Sequence, residues 1–306
     1  MGIFSSSSEL LSVSIDYEPG MSQQAGQLTS YVLSLVPSVN LPAYIDIKVV
    51  FPTVYDFSSI QTSQCTEYKK TLGLSLHCQK NSQLKNVIVF AGFSQKIAQG
   101  TILKLLLQNV TNPQQQMTTE ALSYWVREVG TNNTIQKSQG VPGLNILAGP
   151  VYQVSLDSWN PLFPLYTNFD RELVISFRPS NPFNVIKIGT PFPLVKQCTA
   201  INGLALQHQV VPIVCSPSSG VMVIKGFQTY SPNDLYLKVV KIKFTATLPS
   251  SNIETNHIEI YTFLDEGYAN KVDQDTTSDT TQAQITTLTR NPLSLFLVYL
   301  IFSNRN

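Results

Sequence analysis

The chain has 306 residues, only 13% of them charged, and a formal net charge of +1 at pH 7. Such a balance provides no electrostatic attraction for nucleic acid or an anionic membrane surface, so neither partner is expected. With 43% hydrophobic and 10% aromatic residues the chain is too apolar for intrinsic disorder, and it is long enough for two domains that each bury a core.

The amino-terminal stretch MGIFSSSSELL lacks the basic region and the apolar run of a secretory signal peptide. It does fit the myristoylation pattern M-G-x-x-x-[ST] through Gly2 and Ser6, which would place the protein in the cytosol. The cysteines described below favour an extracellular or cell-surface location instead.

An internal repeat with a period of about 135 residues organises the sequence. The order of its markers is the same in both copies. They are Gln-Cys-Thr around Cys65 and Cys198, second cysteines at Cys78 and Cys215, the runs VIVFAGF (87–93) and VMVIKGF (221–227), and the runs ILKLLLQNVTNP (102–113) and LKVVKIKFTATLP (237–249). Upstream, IDIKVVFP (45–52) matches ELVISFRP (172–179) more loosely, as SYVLSL matches VYQVSL. Repeats of 20–50 residues form solenoids, whereas this longer period predicts one domain type used twice.

Each repeat has the pattern of β-structure. IDIKVVF alternates apolar and polar residues as a half-buried strand does, and VIVFAGF is a continuous apolar run that suits a strand buried on both faces. The segments between such runs are rich in turn-forming Pro, Asn, Ser and Gly. We therefore predict an all-β fold of two tandem antiparallel β-sandwich domains of immunoglobulin-like character.

The expected domain limits are residues 1–140 for the first repeat and 141–290 for the second. The segment 130–149, with four Gly and one Pro, is predicted to link them. Residues 291–306 form an apolar carboxy-terminal segment whose run PLSLFLVYLIF is too short to span a bilayer as a helix. It could be a β-strand, the start of a third repeat or part of an anchor signal, and a membrane contact is expected only in the last case.

Four cysteines allow three pairings, and the repeat selects Cys65–Cys78 and Cys198–Cys215 because each domain then carries an equivalent disulfide. Buried free thiols are the alternative. A zinc site is not expected, because His77 next to Cys78 is replaced by Val214 in the second repeat. Disulfides would imply an oxidising compartment.

Two segments have the form of N-glycosylation acceptors, Asn109-Val110-Thr111 and Asn132-Asn133-Thr134. Both predictions depend on secretion. Asn132 is the safer of the two, because a glycan in the expected linker would disturb no packing.

No catalytic residue is predicted, and no cofactor. The three histidines, His77, His208 and His257, lie in strand-like runs away from any nucleophile motif, so structural roles are expected. The spacing Asp273-x-Asp275-x-x-x-Asp279 offers carboxylates for calcium but lacks the Gly and Glu of a helix-loop-helix site, so a solvated loop is expected. For Trp125 and Trp159 we expect core packing rather than stacking on sugars.

The paired cysteines, the β-branched Gly-Phe strand and the NVTNP element at 109–113 followed by ALSYWV resemble repeat units of very large extracellular surface proteins of ciliated protists. The second repeat matches less well, with TATLP at 245–249. The resemblance implies tandem sandwiches in a structural or adhesive role.

The predicted function is thus a non-enzymatic structural or interaction protein of an extracellular filament, coat or surface layer. Its expected partners are copies of itself or related repeat proteins, and glycans are possible ligands. The alternatives are a secreted carbohydrate-binding module or glycan-active enzyme, and a particle coat protein.

Overall fold

The computed structural model describes residues 8–81, 83–131, 133–158, 165–166, 169–190, 192, 194–200, 209–218, 220–227, 239–248, 258–275 and 288–289. The chain divides into two compact units, Met1–Leu147 and Ala148–Asn306. In the described part of the chain the regular structure consists of β-strands and two short 3₁₀ turns, Thr62–Gln64 and Tyr68–Lys70. The predicted all-β class is confirmed.

The first unit is a sandwich of two sheets with a small two-stranded pair beside them. One sheet has the order β1-β11-β10-β4-β7-β6, the second β2-β3-β8-β5, and the pair is β12-β9. The strands are β1 (Ser8–Glu9), β2 (Ser12–Tyr17), β3 (Leu28–Val36), β4 (Ile45–Val50), β5 (Cys65–Glu67), β6 (His77–Lys80), β7 (Val87–Phe93), β8 (Leu103–Thr111), β9 (Met117–Thr118), β10 (Leu122–Glu128), β11 (Thr134–Val141) and β12 (Asn145–Ile146).

Alternation along the strands builds the core of this unit. In β4 the residues Ile45, Ile47 and Val49 are fully buried between the sheets while their neighbours are only half-buried. The strand β7 is buried along almost its whole length, as its continuous apolar run predicted. A cluster of aromatic rings fills one part of the core, with centroids 4.8 to 6.2 Å apart in the range that favours tilted and edge contacts. Its members are Tyr31, Phe51, Tyr55 and Phe57.

The second unit contains a nine-stranded sheet with the order β17-β20-β15-β13-β22-β21-β16-β19-β18, and a separate pair β14-β23. Its strands are β13 (Gly149–Ser158), β14 (Leu165–Tyr166), β15 (Asp170–Pro179), β16 (Val185–Gly189), β17 (Leu194–Ala200), β18 (Gln209–Ser218), β19 (Val221–Phe227), β20 (Val240–Thr247), β21 (Glu259–Phe263), β22 (Lys271–Gln274) and β23 (Leu288–Thr289).

This nine-stranded sheet is folded into two layers at β13. The start of β13, Gly149 and Pro150, pairs in parallel with β22, whereas the remainder pairs antiparallel with β15. Ile175 of β15 and Ile242 of β20 belong to the same buried core as Ile188 of β16 and Ile224 of β19. The two halves of the sheet therefore face each other as the layers of a sandwich.

The two units share one strand order. When β13 is set against β1 and β2 together, every strand of the large sheet has a partner in the first unit: β15 with β3, β16 with β4, β17 with β5, β18 with β6, β19 with β7, β20 with β8, β21 with β10 and β22 with β11. The order β2-β3-β8-β5 facing β11-β10-β4-β7 corresponds to the A-B-E-D and G-F-C-C′ sheets of immunoglobulin sandwiches. One connection differs, because β5 precedes the β6–β7 hairpin along the chain instead of following it.

The upstream part of the predicted repeat alignment is wrong by one strand. IDIKVV forms β4, whose counterpart is β16, and ELVISFRP lies in β15, whose counterpart is β3. SYVLSL and VYQVSL likewise lie in β3 and β13, which are not equivalent. All sandwich strands share an apolar alternation, so this pattern alone does not distinguish one strand from the next.

The predicted linker at 130–149 is also wrong for most of its length. Thr134–Val141 is β11, which pairs along its length with β10 inside the six-stranded sheet. Asn145–Ile146 is β12, which pairs with β9. Gly130, with φ of 92°, lies in the turn between β10 and β11, Gly140 lies within β11, and Gly143 lies in the short connection from β11 to β12.

Gly92 and Gly226 occupy matching places in β7 and β19 and have similar backbone angles, φ of 101° and 96°. A Cβ atom at position 92 would collide with the carbonyl oxygen of Ser75. The register between β4 and β7 shifts at this point, which is the signature of a β-bulge. The Gly-Phe motif of the first unit therefore combines a bulge with a close approach of two backbone segments.

Candidate functional site

The disulfide of the first unit joins the two sheets at their edges. Cys65 lies in β5, at the edge of the four-stranded sheet, and Cys78 lies in β6, at the edge of the six-stranded sheet. Their Cα atoms are 4.9 Å apart, and both side chains are buried. The bridge closes the sandwich on this side.

The second unit repeats this arrangement. Cys198 in β17 and Cys215 in β18 are bonded, with Cα atoms 5.6 Å apart, and these strands are the two ends of the nine-stranded order. The pairing selected by the repeat is therefore the one in the structure. On the opposite side of each sandwich the first strand crosses between the sheets, as β1 and β2 in the first unit and as β13 in the second. Each unit is thus closed by a crossing strand on one side and by a covalent bond on the other.

Asn109 is an additional residue in β8 relative to β20. Leu107 in β8 pairs with Cys65, and Phe244 in β20 pairs with Cys198, so these two positions are equivalent. Beyond Leu107 the pairing of β8 with β3 contains a register shift before Val110 pairs with Thr29. The pairing of β20 with β15 contains no such shift. Asn109 has φ of 51° and an exposed side chain. The left-handed conformation is one that Asn tolerates better than most residues.

This bulge brings the first glycosylation acceptor to the surface. Leu103, Leu105 and Leu107 point into the core, so regular alternation would point residue 109 inward as well. The extra residue reverses the alternation, so that Val110 is buried and both Asn109 and Thr111 are exposed. Asn132, the second predicted acceptor, lies outside the described residues.

The predicted solvated loop around the aspartate spacing is wrong for Asp273. This residue lies in β22 with no exposed surface, and its carboxylate accepts hydrogen bonds from Ser180 Oγ (2.6 Å), Asn181 Nδ2 (2.7 Å), Thr262 Oγ1 (3.1 Å) and the Asn181 amide (3.2 Å). Burial raises the pKa of Asp273, although these four donors favour its ionised form. Asp279 lies outside the described residues. In the described part of the chain no three His, Cys, Asp or Glu side chains come together in a way that could hold a metal ion.

A second buried carboxylate, Glu67, has a pKa that is shifted downward, whereas that of Asp273 is shifted upward. Glu67 at the end of β5 accepts hydrogen bonds from the amide of Leu74 (2.8 Å), the hydroxyl of Thr71 (2.8 Å) and the amide of Leu72. Burial alone would raise the pKa of Glu67, but these donors together lower it below its usual value. It holds the loop that runs from β5 to β6 and the disulfide. No sequence motif indicated this role.

Of the three histidines, His77 lies in β6 with an exposed ring, where its Nε2 is 3.3 Å from Gln79 Nε2. His208 and His257 lie outside the described residues.

A depression of about 340 Å³ is lined by Val54, Asp56 and Asn112, among others. Among the described residues that line this depression, Asp56 provides a single carboxylate. Enzymes that hydrolyse a glycosidic bond typically use a pair of carboxylates.

The prediction that Trp125 packs in the core is wrong. Its neighbours Tyr124 and Val126 are fully buried in the core, so Trp125 points to the other face of β10, where it is half-buried. The Lys48 ammonium lies 5.5 Å from the centre of its ring, within range of a cation–π contact. Adjacent residues of a strand point to opposite faces, and both Tyr124 and Trp125 are aromatic, so the periodicity of β10 alone does not tell which of them faces the core. Trp159 lies outside the described residues.

Trp125 belongs to a line of residues that crosses the outward face of the six-stranded sheet. The cross-strand register gives this outer row, from β11 to β6, as Lys137, Trp125, Lys48, Val89 and Gln79. The equivalent outer row of the second unit, from β22 to β18, is Gln274, Tyr261, Lys187, Val223 and Ser216. An aromatic residue, a lysine and a valine thus stand side by side at the same place in both units.

No helix in the described part of the chain is long and apolar enough to cross a membrane. No protein-family model matches the sequence, and no curated protein matches it.

Several solved structures show a distant likeness. The C-terminal domain of the Streptococcus pyogenes antigen I/II-family protein AspA is 8% identical, with a TM-score of 0.30, over 87% of this chain and 99% of that domain. The B domain of a biofilm associated protein is 10% identical, with a TM-score of 0.26, over 83% and 81% of the two chains. The N-terminal domain of the Streptococcus gordonii adhesin Sgo0707 is 11% identical, with a TM-score of 0.30, over 81% of this chain and 59% of that one. TM-scores of 0.30 or less do not establish a shared fold over the whole chain. No conclusion about the function of this chain is drawn from these proteins.

Proposed function

We propose that this chain is a non-enzymatic structural and interaction protein of an extracellular filament, coat or surface layer. The observation that carries the proposal is the closure of both sandwiches, each by a crossing strand on one side and a disulfide on the other. Such a unit resists separation of its sheets, which suits a building block that works outside the cell. The resemblance of the cysteine and NVTNP motifs to repeat units of large ciliate surface proteins supports the same role.

Extracellular location is favoured by the cysteines. Both disulfides lie at equivalent positions, and such bonds persist in oxidising compartments but are rare in the cytosol. The myristoylation pattern at Gly2 would require a cytosolic protein, so we propose that it has no function here.

We propose the outer rows as the contact surface between copies of this chain. An aromatic ring flanked by the aliphatic part of lysine gives a flat surface that is apolar in its centre and charged at its border. The residue types Trp or Tyr, Lys and Val recur in both units on a face that does not contribute to the core. The apolar segment 292–302, which lies outside the described residues, would add a second contact as a strand on the sheet edge of a neighbouring copy.

A carbohydrate-binding module is the second candidate, because Trp125 lies on the outward face rather than in the core. Aromatic rings on a sheet face can stack on sugar rings. The two candidate functions assign different partners to Trp125. In the structural role it contacts a second copy of the chain, and in the carbohydrate-binding role it contacts a polysaccharide.

Negative-stain electron microscopy of the oxidised full-length chain tests the proposal. We expect ordered polymers that are lost in the double variant Trp125→Ala and Tyr261→Ala. They should persist in the control Tyr152→Ala, which removes an aromatic residue that is 46% exposed but lies outside the outer rows. Monomers at all concentrations would overturn the structural role, and polysaccharide binding that disappears in Trp125→Ala would establish the second candidate.

A further inference from the structure

The first and last strands of each unit's larger sheet run parallel and side by side. In the first unit β1 pairs with β11, with Ser8 opposite Gln136 and Glu9 opposite Lys137. In the second unit the start of β13 pairs with β22, with Gly149 opposite Asp273 and Pro150 opposite Gln274. Each parallel pair spans two residues, so the backbone contributes few hydrogen bonds between the strands.

A fully buried polar side chain reinforces this short contact in the first unit. Gln136 on β11 donates from Nε2 to Ser8 Oγ (3.1 Å), to the Glu9 carbonyl oxygen (3.4 Å) and to Ser38 Oγ. Ser38 in turn donates to the Glu9 carbonyl oxygen. The last strand, the first strand and the turn after β3 are thereby joined in one network.

The second unit has a different residue at the same register. Asp273 on β22 takes the place of Gln136 and binds Ser180, which follows Pro179 just as Ser38 follows Pro37. The first strand lies directly on this network. A Cβ atom at Gly149 would come within 2.5 Å of Asp273 Oδ1 and 2.6 Å of Ser180 Oγ, so no side chain fits there.

We propose that these two junctions, which we call terminal-strand locks, bear tension applied along the chain, with Gln136 and Asp273 as their central residues. The chain enters the larger sheet of each unit at the amino-terminal end of its first strand, β1 or β13, and leaves that sheet at the carboxyl end of its last strand, β11 or β22. Because the two strands are parallel, a pull on the chain drives them past each other and loads all their contacts at once. An antiparallel terminal pair would instead open one bond at a time.

The order of events under load follows from the fold. In the first unit, tension reaches β11 only after the two-residue pair of β12 with β9 and the bridge between Gln24 and Leu147 have been loaded. Both contacts are therefore loaded before the lock, and the β12–β9 pair spans two residues, as the lock itself does. The disulfides lie on the opposite side of each sandwich and close loops of 13 and 17 residues in sequence, so they leave both locks on the load path.

Single-molecule force spectroscopy on the oxidised full-length chain, held by handles at Met1 and Asn306, tests the proposal. Wild type should show two unfolding events, one for each unit. Gln136→Ala should raise the unfolding rate of the first unit at constant force about tenfold, equivalent to about 1.4 kcal/mol, and leave the other event unchanged. Asp273→Ala should do the same to the second unit alone. Ser8→Ala, which removes one partner at a partly exposed position, should give a smaller increase and covers the case in which Gln136→Ala does not fold.

The matched control is Glu67→Gln, which weakens the first unit on the side away from its lock. It should lower the stability of that unit to denaturant with little effect on its unfolding rate under load. The proposal is overturned if Gln136→Ala and Ser8→Ala accelerate forced unfolding no more than Glu67→Gln does for the same loss of stability. The measurement needs no assembly, so a chain that never polymerises would remove the proposed function and leave this inference standing.

Discussion

Glu67 directs both carboxylate oxygens into the loop that follows β5, where backbone amides and one hydroxyl surround them. It is only 3% exposed, so its charge is compensated almost entirely by these donors. The residue therefore links a local loop conformation to the ionisation of a single group.

We expect Glu67→Gln to lower the free energy of unfolding of the first unit by about 2 kcal/mol, because an amide nitrogen would face a backbone donor. The folded-state pKa of Glu67 lies below its unfolded value, so its contribution is present above the unfolded pKa and is lost as pH falls through the folded pKa. Denaturant unfolding from neutral to acidic pH should show the gap between wild type and variant closing in acid. Glu120→Gln, an exposed change in the same unit, should leave stability unaltered, and an equal loss there would contradict the assignment.

Asn109 is the residue whose modification the fold favours. We expect secreted protein from eukaryotic cells to carry an N-linked glycan there, because the bulge exposes both Asn109 and Thr111. Peptide-N-glycosidase treatment followed by mass spectrometry should detect the glycan in wild type and in Thr111→Ser, which keeps the acceptor pattern, but not in Thr111→Ala.

A second variant separates modification from conformation at this position. Asn109→Gly keeps the left-handed backbone accessible and removes the acceptor, so it should fold normally without the glycan. Secreted wild-type protein with an unmodified Asn109 would show that the residue serves the bulge alone.

At the scale of the strand, the Gly-Phe motif in β7 allows a quantitative comparison. Gly92→Ala should be more destabilising than Gly100→Ala, since both positions have positive φ but only the first has a backbone oxygen in the way. The backbone conformation alone should cost about 1 kcal/mol in each case. Thermal unfolding of the two variants measures the additional cost of the collision, and equal shifts in melting temperature would exclude it.

The parts of the fold that sequence could predict are those with a fixed place in the chain. The cysteines and the two Gly-Phe runs recur at constant spacing, and the structure places them in equivalent strands β5 to β7 and β17 to β19. The upstream strands β3 and β4 carry no such markers, and their alternating pattern allowed a shift of one strand. The linker was misplaced because Gly residues in a hairpin give the same local composition as a connection between domains.

The contents of the candidate sites were less predictable, because they depend on residues distant in sequence. Trp125 was assigned to the core because alternation defines two faces without saying which is buried. Asp273 was assigned to solvent because its partners Ser180 and Asn181 lie far away in the chain. The exposure of Asn109 depends on a bulge that only the pairing of β8 with β3 reveals.

At the scale of the whole molecule, each unit has a hydrophobic core of its own. We therefore expect two calorimetric transitions rather than one. The double variant Cys65→Ala and Cys78→Ala should lower the stability of one transition by about 3 kcal/mol and leave the other in place, since the disulfide closes a short loop within one unit. Cys198→Ala with Cys215→Ala should act on the other transition. A single transition that moves in both double variants would show that the units unfold together.

The local character of both disulfides has a consequence for biosynthesis. Each cysteine finds its partner 13 or 17 residues away, long before the next pair has been synthesised. Chains emerge at about 5–20 residues per second and domains fold as they appear, so the first bridge can form while the second unit is still being made. Of the three ways to pair four cysteines, the two that cross between units are therefore disfavoured by timing as well as by distance. The same rule would hold for any number of such units in one chain, so a longer array could be oxidised one unit at a time without scrambling its disulfides.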